Sequence, residues 1–251
     1  MKGGPGIALL VAGAVLACAF AGAAHAAQPL VSAPGITVNG GGADVSLALK
    51  VLLALTVLSL APAILVSMTA FIRIVIVMSM LRHALGMPET PPNTVIISLA
   101  LFLTLFTMAP VLEKVNQDAL QPYLAGTVTP ERAAAGALAP LRDFMVRQTR
   151  EEDLALMVEL AKAEQPATID DISLIQLIPA FMLSELRAAF QIGFVIFLPF
   201  LLVDLIVSSA LMALGMMMVP PASISLPLKI LLFVLMDGWN LVVRALLGTF
   251  A

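Results

Sequence analysis

The chain has 251 residues, of which 61% are hydrophobic and only 12% charged, whereas a soluble domain carries about twice that share of charge. With a formal net charge of −3 it offers no basic face for nucleic acid, and that class of partner is excluded. Residues 113–187 hold 19 of the 29 charged side chains, so the rest is nearly bare and reads as a membrane protein.

In chain order, Lys2, the apolar run Ile7 to Phe20 and Ala24-His25-Ala26 form a signal peptide over residues 1–26, cut between Ala26 and Ala27. An uncleaved first transmembrane helix is the alternative, but the core is short and Pro29, Pro34 and Gly40 to Gly42 follow it. Cleavage removes Cys18, the single cysteine, and with it thiol, disulfide and Cys-metal chemistry. Residues 27–44 read as a flexible leader. Residues 45–112 hold the N-terminal hydrophobic helices. The first, Val45 to Met68, carries Pro62 as a kink and suffices to cross a hydrocarbon core of about 30 Å. Phe71 to His83, with Arg73 near its start, is too short to cross alone and reads as the return arm of a hairpin or a bent continuation. A stiff loop with Pro88, Pro91 and Pro92 leads to Asn93-Thr94 as a cap and to a span from Val95 to Leu112, broken late by Pro110.

Residues 113–187 read as a small helical extramembrane domain. Thr129-Pro130-Glu131 is a helix start. Thr149 with Glu152 matches a capping box opening a helix through Ala163, whose face is Leu154, Met157, Val158 and Ala161. Ser173 with Gln176 is a second box. Residues 188–251 form a C-terminal hydrophobic hairpin: Phe190 to Val219, with a tilt or break near Pro199, a turn with Pro220, Pro221 and Pro227, and a span from Leu228 to Leu247. With no strand signal the fold class is all-α, a polytopic membrane protein of bent helical hairpins. A cleaved signal with four spans leaves both mature termini outside; Arg73, Arg82 and His83 then fall inside, as the positive-inside rule prefers.

Intramembrane charges are functional candidates. Asp204 is either a proton or cation relay or a structural partner. Asp237, beside Gly238 and Trp239, reads as a cap on a local helix break, with Arg244 too distant for an i,i+4 pair. Glu185 and Arg187 are two residues apart and cannot face each other on a helix, so each is expected to pair with a neighbouring copy or another subunit. Met216, Met217 and Met218, before a double proline, are either gap-filling or a deformable apolar seal. No P-loop, dinucleotide fingerprint or nucleophile elbow is present; no enzyme, metal site or cofactor is expected. A small-solute or ion transporter is the other class considered, though the internal repeats of such proteins are missing.

Pro179 to Phe194, Leu198 to Asp204, Leu214 to Pro221, and Pro227-Leu-Lys229 through Asp237-Gly-Trp239-Asn240 closely resemble the FliP family of type III export-gate proteins and its virulence-system counterparts. Arg73 to Val77, Leu81 to Gly86, Pro91 to Asn93 and Thr149 to Leu154 carry the same likeness. It implies a non-enzymatic, channel-forming subunit of a flagellar export gate in the bacterial inner membrane and flagellar basal body. It also implies a homopentamer with FliQ-like and FliR-like subunits, working with FlhA/FlhB-like export components on unfolded flagellar substrates. The family's methionine constriction maps onto Met216, Met217 and Met218, and the assembled gate stands partly above the membrane plane. Arg73, Glu185, Arg187, Asp204, Asp237 and Arg244 are the candidate assembly or buried charges.

Overall fold

The computed structural model describes residues 52, 55, 56, 59, 62–64, 66–161, 168, 171–216 and 218–250; the signal peptide, its junction at Ala26 and Ala27, and Met217 lie outside these. The chain divides into two compact units, Met1–Val66 and Ser67–Ala251. In the first, the described residues from Leu52 on are helical, Pro62 included. Thr56 Oγ1 donates to Leu52 O at 2.8 Å and Ser59 Oγ to Thr56 O at 2.8 Å, each satisfying its hydroxyl within the helix.

The second unit is helical throughout, with no strand among its described residues. At its centre is α1, Phe71–Ala84. Ile72, Arg73, Ile74, Val77, Met78, Leu81 and Ala84 are buried, and Phe71, Val75 and Ile76 pack against the same core. A helix apolar on nearly every side is a core helix, not an amphipathic surface one. It is a 14-residue helix packed against two long helices, Asn93–Val115 and Leu174–Ala213. Its end is closed by Gly86 at φ 79°, where Gly86 N donates to His83 O and Met87 N to Arg82 O.

Helix α2 is Asn93–Val115. Asn93 does not cap it: its Oδ1 instead accepts from Arg82 Nη1 at 2.6 Å. Pro110 does not break it either, because a proline deletes one backbone bond while the core contacts of Met108 and Val111 on either side hold the turn. A single π turn, Asn116–Leu120, follows, then the short α3, Gln121–Leu124. Asn93–Leu124 together are long and apolar enough to cross a membrane.

Helix α4, Pro130–Gln148, starts as the sequence indicates: Thr129 Oγ1 accepts from Arg132 N at 3.4 Å, Pro130 is at the first position and Glu131 is in the first turn. It packs against the π turn at Gly136, where an added Cβ would lie 2.8 Å from the Asp118 carbonyl oxygen. That neighbour is backbone and cannot swing aside. Gly136→Ala is expected to lose about 1–3 kcal/mol through overpacking. Gly193→Ala meets chiefly the flexible Met80 side chain, its Sδ and methyl, and is expected to lose less. Thermal unfolding of the two variants in detergent gives the order; the reverse order would show that the π turn yields.

Helix α5, Glu151–Leu160, departs from expectation. Thr149 Oγ1 donates back to Met145 O at 2.6 Å and closes α4, so Arg150 is the α5 N-cap and no Thr149 box forms. The helix ends at Leu160, not Ala163, and Ala161 is exposed while Asp153, Leu154, Met157 and Val158 turn inward. Helix α6, Leu174–Ala213, is a single helix of 40 residues. Gln176 Oε1 accepts from Ser173 N at 3.3 Å, the glutamine half of the expected box. Neither Pro179 nor Pro199 ends it; buried Phe200 beside Pro199 packs on Phe233, ring centroids 6.3 Å apart. It also runs through the expected domain boundary at 187/188.

Two shorter helices complete the chain, α7, Pro221–Leu235, and α8, Gly238–Gly248. The expected span from Leu228 to Leu247 is broken at Asp237, with a bend of 67° between α7 and α8. The described residues therefore contain two helices able to cross a membrane, or three if the bent pair is one broken span.

Candidate functional site

Helices α6 and α7 form an antiparallel hairpin. Phe200 faces Phe233 and Asp204 faces Lys229, pairs placed symmetrically in sequence about positions 216 and 217. The end of α6 is a complete glycine-closed turn: Gly215, at φ 72°, donates its N–H to Met212 O at 3.0 Å, and Met216 N donates to Leu211 O at 3.0 Å. A side chain at Gly215 would be strained by that backbone angle. The chain then meets Pro220 and Pro221, which set the start of α7. The tip this turn presents is apolar and open, with Met212, Leu214, Met216 and Met218 exposed at 64%, 73%, 45% and 98%.

Halfway along the hairpin, Lys229 Nζ donates to Asp204 Oδ2 at 2.6 Å. The ammonium is buried and the carboxylate side chain 41% exposed, at the mouth of a cleft of about 240 Å³ that Ser208, Ser225 and Gly86 also line. The pairing makes Asp204 a partner within its own hairpin. Lys229 is not among the candidate charges read from the sequence, although a lone lysine and a lone aspartate equidistant from a hairpin turn are the signal that links them.

Arg73, a candidate assembly or buried charge, is buried at the junction of α1, α4, α6 and the residues after α8. Its Nε donates to Glu185 Oε2 at 2.9 Å, and Nη2 donates to Glu185 Oε1 and, at 3.1 Å, to Gln148 Oε1. Nη1 reaches Thr249 Oγ1 at 2.9 Å and Thr249 O at 3.4 Å. The guanidinium carbon lies 3.9 Å from the centre of the Phe250 ring, which stacks on Phe144. All five N–H donors are thereby used. Glu185 is fully buried, so this bidentate pairing is what makes its charge tolerable there.

Two residues further along α6, Arg187 Nη2 pairs with Asp153 Oδ1 at 3.1 Å and Nη1 with Glu152 Oε2 at 3.2 Å. Asp153 Oδ2 accepts from Ser184 Oγ at 2.7 Å, and that oxygen accepts Arg150 N at 3.0 Å. The α5 N-terminus is thus capped from α6 rather than by its own threonine. The expectation that Glu185 and Arg187 pair between copies is corrected: the chain folds α1 and α5 onto α6 and supplies both partners itself. Asp153 was legible, because an acid at the head of the Leu154, Met157, Val158 face needs a buried cation.

Asp237 and Arg244 differ from these. Asp237 sits at the bend with φ 50°, the left-handed region, and its side chain makes no capping bond; the break is closed by the backbone and by Gly238, packed under Phe233. Arg244 donates Nε to Asn240 Oδ1 at 2.6 Å.

Comparison with known proteins gives one consistent result. The FliP family model matches residues 54–246. The chain is similar to the flagellar biosynthetic protein FliP of Bacillus subtilis (strain 168), 52% identical over 207 residues, which cover 82% of this chain and 94% of the relative. The protein of that name from Pectobacterium carotovorum subsp. carotovorum is 50% identical over 220 residues, 86% of this chain and 85% of the relative. That of Caulobacter vibrioides is 46% identical over 237 residues, 94% and 88% of the two chains.

Proposed function

The chain belongs to the FliP family and is a component of the flagellar export apparatus, and from that premise we propose that it is a core, channel-forming subunit of the type III export gate. On this reading it is a multi-pass protein of the bacterial inner membrane with no catalytic chemistry of its own. It assembles as a homopentamer with FliQ-like and FliR-like subunits and, with FlhA/FlhB-like components, passes unfolded flagellar proteins.

The observation that carries the reading is the open apolar turn at the tip of the α6–α7 hairpin, with Met216 and Met218 uncovered in the single chain. Unbranched thioethers repack around a passing chain, and a ring of such tips excludes water and ions when nothing passes. Asp204, tied to Lys229, is poorly placed for the relay that a small-solute or ion transporter requires.

Changing Met216, Met217 and Met218 together to alanine removes bulk without adding charge. The complex is expected to assemble, to leak small ions and to lose control of filament-protein secretion. Ion leak and secretion are measured in cells carrying the variant complex. An ion-tight complex with normal secretion would reduce these methionines to ordinary packing.

A further inference from the structure

We propose that the cleft between α6 and α7 is a hydration site, in which Lys229, Asp204, Ser208 and Ser225 hold a small cluster of water molecules at the depth of the hydrocarbon core. This hydration needs only the folded single chain, so it stands whether or not the export-gate reading does. Its basis is a buried ammonium with donors to spare. Lys229 is 5% exposed, and among the described residues its Nζ bonds only Asp204 Oδ2, at 2.6 Å. An ammonium carries three N–H donors. Two therefore remain on a group almost wholly buried, where an unmet donor is costly.

The same side chain lines the cleft of about 240 Å³, together with Gly86, Ser208 and Ser225. Gly86 keeps the space beside it open. A Cβ there would lie 4.0 Å from Lys229 Nζ and 3.3 Å from Leu226 Cδ1, which places the ammonium itself at the cleft.

Depth makes the demand sharper. On α6, Gln191 still meets an arginine at the surface, its Oε1 accepting from Arg150 Nη2 at 2.8 Å. Residues 192–213 beyond it run about 33 Å at 1.5 Å per residue, the thickness of one hydrocarbon core. Asp204 is the single charge among them and falls near the middle. A carboxylate 41% exposed at that depth faces water or protein, not lipid.

Charge and hydrogen bonding then select the occupant. A cation is repelled by Lys229 and an anion by Asp204, both of which line the cleft. An acyl chain offers the spare donors no acceptor. Water accepts from an ammonium and donates to a carboxylate or hydroxyl, and a cleft of this volume with four polar side chains holds several molecules. The hairpin thereby carries its two charges through the membrane with no second subunit to cover them.

The test uses the full chain alone, labelled with nitrogen-15 at its lysine side chains and set in phospholipid bilayers. Solid-state NMR follows polarisation passing from water protons to each ammonium, and Lys229→Met identifies the Lys229 signal. That signal is expected to build up as fast as the signal of exposed Lys114. Ser208→Leu fills the cleft and leaves the ion pair in place, so it is expected to slow the build-up at Lys229 and leave Lys114 unchanged. Slow build-up at Lys229 in the parent chain, the result for a cleft filled by lipid or closed by protein, would overturn the proposal. Fast build-up that Ser208→Leu does not slow would overturn it too, since water would then reach Lys229 by a path outside the cleft. Neither result bears on the export-gate reading, which the methionine variant tests separately.

Discussion

Glu185→Ala loses about 3–5 kcal/mol of stability, because it strands a buried guanidinium with its carboxylate gone. Domains are stable by only about 5–15 kcal/mol, so little folded protein should accumulate. Arg73→Ala is expected to do the same from the other side, leaving the fully buried Glu185 without its partner. Arg73→Lys should rescue weakly: one ammonium cannot reach Glu185, Gln148 and Thr249 together. Arg73→Met with Glu185→Leu, which removes both charges, is expected to recover most of the loss. Thermal unfolding and protease resistance of detergent-purified protein check this. Two single variants as stable as the parent would mean that the pair is dispensable to the fold.

The second large effect is asymmetric. Asp204→Ala leaves the Lys229 ammonium buried and alone, at a cost on the order of 3 kcal/mol. Lys229→Met leaves Asp204 half-exposed and free to turn outward, at a cost of about 1 kcal/mol. Combining Asp204→Leu with Lys229→Met should restore the hairpin. The same unfolding measurement serves, and equal losses in the two single variants would show that the carboxylate is held as tightly as the ammonium.

How far these features could be read in advance depends on their range. Helix starts governed by a few neighbours, at Thr129-Pro130-Glu131 and at Ser173 with Gln176, appear as the sequence indicates. The cap at Thr149 does not, because a hydroxyl 34 positions away, on Ser184, takes the Arg150 N–H while Thr149 turns back to Met145. Composition marks α1 as apolar but not as central, since much of its burial comes from α6, about 90 residues further along the chain. Pro110 reads as a break and Pro199 as a tilt or a break, yet both helices run on through them with buried neighbours packed beside each proline. The break at Asp237-Gly238 was legible from the polar pair in an apolar run, but the size of the bend between α7 and α8 and its closure without a side-chain cap were not. Among the candidate charges, identity was legible and pairing was not; the partners of Glu185 and Arg187 lie 112 and 34 residues away.

The unbroken course of α6 has a mechanical consequence. From Glu185 to Ala213 it is a rod about 42 Å long at 1.5 Å per residue, clamped at one end by Arg73, Asp153 and Ser184 and carrying the Met216 turn at the other. Such a rod is a lever with its fulcrum at the clamp. A tilt of about 5° there, less than the diameter of one atom in local movement, sweeps the far tip through about 4 Å, given that length. On the proposed export-gate reading, an aperture rimmed by several such tips would widen through adjustments too small to disturb the core.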